Sequence, residues 1–225
     1  MKDSQIRHLD RSQRVRQLVF NLVPPFPEDS RAMALAAIVN EVIIEVEVQA
    51  ARQVAANLEW QESTEQKRVA IKALLQEMRP MNRTARAADN QSPGIADQFK
   101  MPPDIDQVIL NTARAYINTA TPIPHEFTTR GLPASFLADM QRAIDAVLAA
   151  EARQSAALAA QTAATAAIAA ALKREREAVS ELDVIMRNRY RDDPATLAAW
   201  KSASHIERAP KRAKKDTTTP PTPAE

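Results

Sequence analysis

The sequence predicts an all-α protein: an elongated helical bundle with two long antiparallel coiled-coil-like arms and shorter flanking helices. Three observations predict it. The 225 residues include 43 alanines but only 2 glycines, and aromatic residues make up 4%, so strong helix formers dominate and sheet and tight-turn residues are scarce. The 15 prolines are clustered, which leaves Glu28–Arg79 and Ala134–Asp193 free of both Pro and Gly, and proline is the residue that stops or kinks helices. Apolar residues in both stretches recur every seven positions, as they do along a helix–helix seam.

The elements follow in chain order. A first short helix over about Asp3–Leu22 ends before the Pro24-Pro25-Phe26-Pro27 break. Asp29 and Ser30 are N-cap candidates for the first arm, at about 29–79, because a short polar side chain there accepts from the helix's unpaired N–H groups. The alternation of Ile44-Glu45-Val46-Glu47-Val48 would suit a strand, but Ala-rich flanks without glycine carry a helix through it. Pro80–Pro133 is a connector with one helix at about Asp104–Thr119, whose Ile105, Val108, Ile109 and Tyr116 follow helical spacing. Pro133 sits at the first turn of the second arm, at about 134–191, where the missing N–H costs nothing. Asp193 and Pro194 form a cap and first-position pair for a last helix, Pro194–Glu207. Residues 1–209 thus read as a single elongated bundle, and 210–225 as a disordered basic, Pro/Thr-containing tail that buries too little to offset its ordering.

The first arm's seam is Val39, Val46, Gln53, Trp60, Lys67, Leu74 and Met81, flanked by Ile43, Ala50, Asn57, Thr64, Ile71 and Met78. The second runs Leu137, Ile144, Glu151, Leu158, Thr165, Leu172, Val179 and Met186, with Met140, Val147, Ile168 and Leu182 beside it. Ala143, Ala150, Ala157, Ala164, Ala171 and Ala178 form a further row; small residues let another backbone approach closely, within the chain or between chains. Both seams are polar in the middle, which either fixes register or marks where the bundle opens to water. Centring the polar segments on each other makes opposed residue numbers add to about 218 in an antiparallel pair. Trp60 then opposes Leu158, Gln53 opposes Thr165, and Lys67 opposes Glu151 as an ion pair in a neutral layer.

Function is narrowed mostly by exclusion. There is no Gly-rich phosphate loop, H-E-x-x-H or G-x-S-x-G, and no cysteine to serve as nucleophile or ligand. His8, His125 and His205 are scattered, and no Glu-x-x-His pair supports a di-iron bundle. No catalytic residue, cofactor, metal or small-molecule substrate is expected, and the chain reads as a non-enzymatic structural or protein-interaction module that self-associates through helical surfaces. The alternative is a nucleic-acid-associated protein whose tail residues Arg208, Lys211, Arg212, Lys214 and Lys215 contact phosphates. Leu197, Trp200 and Ile206 could dock a partner protein, or Trp200 could close the bundle end. A third possibility is a membrane-active helical protein, because Gln154–Leu172 carries no charge. Its content is mostly Ala with several Gln, Ser and Thr, which argues against a spanning helix. The N-terminus has no apolar signal segment, so the expected location is cytoplasmic.

The segments PGIADQFKMP, TARAY, GLPASFLADM and DPATLAAWKSASHIERAPKR resemble a group of uncharacterised bacterial Ala-rich helical proteins, over about residues 92–212. That resemblance implies a bacterial source and a helical fold. It supplies no activity, substrate or functional residue.

Overall fold

A computed structural model of the chain describes residues Asp3–Glu207. Seven α-helices occupy the described residues: α1 Asp3–Phe20, α2 Arg31–Ala88, α3 Ile95–Gln98, α4 Asp106–Ala120, α5 Pro124–Thr128, α6 Phe136–Arg189 and α7 Pro194–Ser204. The described chain is all-α, with α2 and α6 as the two long antiparallel arms. Contacts divide the described residues into two compact units, 3–47 with 168–207, and Val48–Ala167.

The first unit joins α1, the start of α2, the end of α6, and α7. Val15 and Val19 of α1 pack with Leu35, Val39 and Ile43 of α2, Leu182 and Met186 of α6, and Trp200 of α7. Ser30 caps α2 by accepting from the Met33 N–H at 3.3 Å. Asp193 caps α7, accepting from the N–H groups of Ala195 and Thr196 at 3.1 Å each. Arg31 and Glu181 pair across α2 and α6 through two bonds of 2.7 Å, and Arg174 pairs with Glu45.

The second unit joins the rest of both arms to α3, α4 and α5. Leu74, Met78 and Met81 of α2 pack against Ile109, Leu110 and Tyr116 of α4 and Met140, Ile144 and Val147 of α6. A run of rings, Tyr116–Phe99–Phe127–Phe136, links the short elements at centroid spacings of 4.8, 5.1 and 5.3 Å. Asn82 donates to the Phe99 carbonyl at 2.6 Å, and the Tyr116 hydroxyl donates to the same oxygen. Burial pushes the Tyr116 phenol up to about 12. Both glycines, Gly94 and Gly131, take positive φ, 89° and 91°, where a side chain would be strained.

Besides shifts of one or two residues at other helix ends, among them a start of α6 at Phe136 that leaves Pro133 outside its first turn, three features differ from expectation. α2 continues through Pro80 to Ala88. An internal proline costs about 3 kcal/mol through a lost bond and a clash with the preceding turn; burial of Met78, Met81, Ala85 and Ala88 on the same helix offsets it. The connector also forms α3 and α5, one of four residues and one of five, too short for their period to show in sequence. α7 stops at Ser204 rather than Glu207, as His205 turns to extended backbone.

Candidate interaction surfaces

The polar seam lies within the second unit. Gln53 Nε2 donates to Thr165 Oγ1 at 2.9 Å, and Gln154 Nε2 donates to Thr64 Oγ1 at 2.8 Å. Lys67 Nζ lies 3.0 Å from Glu151. The layer around it is not neutral, because Asp106, which opens α4, also reaches Lys67 at 2.8 Å. The Lys67 pKa is raised, chiefly by the hydrogen bond to Asp106 and then by that to Glu151, against partial burial.

The rows that meet in the middle are not all those expected. On α2 the buried companions of the Gln53–Lys67 row are Ala56 and Ser63, while Asn57 and Thr64 are exposed. On α6 it is the alanine row that is buried, at Ala150, Ala157 and Ala164, and Leu158 stays 53% exposed. Trp60 is 38% exposed, so neither closes the seam as a large apolar core residue would. The alternation of three- and four-residue steps explains the choice: two helices held together alone bury two rows, and the smaller row permits the closer approach. Further along this unit α4 covers a third row, and Ile71, Met78 and Ile144 become core.

The uncovered stretch carries a concentration of exposed apolar side chains. Val54 and Leu58 on α2 are each 59% exposed, and Val48 and Val69 of α2 and Leu148 of α6 are exposed with them. A shallow groove of about 530 Å³ runs between the arms over Val69, Ala73, Ala146 and Ala149, with Glu65 and Arg153 at its rim.

In the first unit Arg11 and Glu175 form a buried ion pair through two hydrogen bonds, from Nε at 3.2 Å and from a terminal guanidinium nitrogen. Glu175 is fully enclosed. His8 Nδ1 lies 4.0 Å from Glu175 Oε2, is buried and has no hydrogen-bond partner. Burial lowers the His8 pKa, with Arg11 and Arg176 adding to the effect and Glu175 opposing it. Arg11 and Glu175 lie 164 positions apart, and no spacing in the sequence signals their pairing.

Of the remaining candidates, Trp200 is 2% exposed, and its indole donates to Asp183 at 2.7 Å. It packs in the core of its own unit with Val15, Leu35 and Met186, and Leu197 packs half-buried against that core; Ile206 is half-buried. Arg208, Lys211, Arg212, Lys214 and Lys215 lie outside the described residues. Among the described residues no group of three or more His, Asp or Glu side chains could hold a metal. α6 is long and apolar enough to cross a membrane by length and composition, with mean hydropathy 1.5 in its best window, of which 28% is buried.

Fold and surfaces together define an all-α protein whose two long arms meet over small and amide side chains along the polar seam and leave Val54, Leu58 and Leu158 exposed there. The chain matches no family model, no curated protein and no solved structure.

Proposed function

We infer that the chain is a non-enzymatic, self-associating interaction module, and that the face used is the two-helix stretch of the second unit. The observation that carries this reading is the exposure of Val54, Leu58 and Leu158 on the stretch whose seam already has its partners. Scattered exposed apolar residues are ordinary, but concentration on one stretch favours an interface. The exposed surface of α6 supports a like partner. From Gln154 to Leu172 it carries no charge, so a second copy meets no desolvated ion there. The groove over Val69 and Ala73 accepts an aliphatic side chain such as Leu58 of another copy.

Sedimentation equilibrium of the full chain, from about 5 to 200 μM, tests this, since a standard interface holds in that range. The chain is expected to form dimers or larger species, and the Leu58→Glu/Leu158→Glu variant to remain monomeric with unchanged helical content. A wild-type chain that is monomeric throughout overturns the reading.

A further inference from the structure

The end of α2 beyond the groove presents a different surface. Lys72, Arg79, Arg83 and Arg86 are all exposed. Their steps of seven, four and three residues place them on one side of the helix. Glu77, the acid between them, falls about 120–180° around the axis from each. The ladder spans about 21 Å at 1.5 Å per residue.

Elsewhere in the unit Lys67, Arg68, Lys100, Arg130 and Arg142 each pair with a carboxylate. Within the described residues Arg52 and Arg114 do not, but neither has another cation within two turns of its helix, so the ladder is set apart by clustering as well as by lack of partners. Among the described residues the four cations of the ladder make no ion pair or side-chain hydrogen bond. Asp89, three residues past Arg86, is turned away, its Oδ1 accepting from the N–H groups of Gly94 and Ala96. Attraction to the negative end of the helix explains Arg86 and Arg83, but its reach is about one turn. Lys72 and Arg79 lie deeper than that.

From this ladder we propose that Lys72, Arg79, Arg83 and Arg86 form a binding surface for the phosphate backbone of duplex nucleic acid, independent of base sequence. A line of point charges at steps of one to two helical turns matches a polyanion with regularly spaced phosphates. Single strands are disfavoured, since such sites stack bases on aromatic rings and no aromatic residue lies within 72–86. A lipid surface is disfavoured too, because basic helices that bind membranes place large apolar residues beside the charges. Among the described residues α2 exposes none after Val69.

The experiment uses the full chain with tail cations neutralised, Lys211→Gln/Arg212→Gln/Lys214→Gln/Lys215→Gln, so that the tail contributes little. Anisotropy of a labelled random-sequence duplex of about 24 bp reads the affinity at 50 to 200 mM salt. Four phosphate contacts predict a log–log salt slope of about −3.6, a loss of about 150-fold over that range. Adding Lys72→Gln/Arg79→Gln/Arg83→Gln/Arg86→Gln is expected to abolish the slope. Replacing the three arginines by lysine is expected to keep it, because the contacts are made by charge; circular dichroism confirms that each variant retains its helices. The proposal is overturned by absence of duplex binding at 50 mM salt, by equal binding with and without the ladder, or by tighter binding to phosphatidylserine vesicles than to duplex.

Discussion

Glu175 has no contact with water and its charge is met by one guanidinium, so the pair with Arg11 is unequal to its parts. Glu175→Gln keeps the shape and strands the Arg11 charge in the core, where breaking a buried pair costs about 3–5 kcal/mol. Replacing both by apolar residues, Arg11→Met/Glu175→Leu, is expected to cost less than either single change in urea unfolding. His8 adds a pH dependence. Its native pKa lies below the ordinary 6.5 because burial and Arg11 disfavour its charge. Above that ordinary value neither folded nor unfolded chain binds the proton, and stability is full. As pH falls below it the unfolded chain takes up the proton first, so stability declines down to the lowered native value. His8→Gln should flatten this part of a stability–pH curve between pH 7 and 5; an unchanged slope would assign the dependence to other groups.

At the scale of the element, the alanine seam gives a sharp contrast. Ala157 is 1% exposed and Ala164 3%, so Ala157→Leu or Ala164→Leu is expected to cost about 1–3 kcal/mol by overpacking. Ala159→Leu, on the exposed side, should stay within about 0.5 kcal/mol. Thermal unfolding followed by circular dichroism separates the cases, and equal effects would mean the row is not packed. Both arms were legible because a seven-residue period over fifty residues is hard to produce by anything but a helix. The alignment of polar centres similarly placed Gln53 by Thr165 and Lys67 by Glu151. What pattern could not show was which of two adjacent rows faces inward: Leu158 is more apolar than Ala157, and hydrophobicity alone favours the wrong one. Pro80 misled for a related reason. Ending the arm at Arg79 puts Arg83 and Arg86 in a connector, and the basic ladder exists only on a continuous helix. Its signal, cations at 72, 79, 83 and 86, is in the sequence once the helix is carried through the proline.

For the whole molecule, the two surfaces make a joint prediction. A self-associated pair carries two basic ladders, so a duplex of about 60 bp should bind at least about tenfold more tightly than one of about 20 bp, through effective concentration. The Leu58→Glu/Leu158→Glu variant is expected to erase that length dependence while leaving short-duplex affinity unchanged. If both lengths bind wild-type chain equally, the ladders are not presented together. The alanine seam also has a calorimetric consequence. Opening it wets methyl groups and amides, whereas opening either core wets leucine, methionine and aromatic side chains. Heat-capacity change and denaturant sensitivity both scale with the apolar surface exposed. Amide exchange at Ala56, Ala157 and Ala164 should therefore respond weakly to urea and to cooling, while amides at Leu35 and Leu74 respond steeply. In the cold, where hydrophobic burial weakens, the two cores are expected to lose stability and the alanine-lined stretch to hold nearly constant.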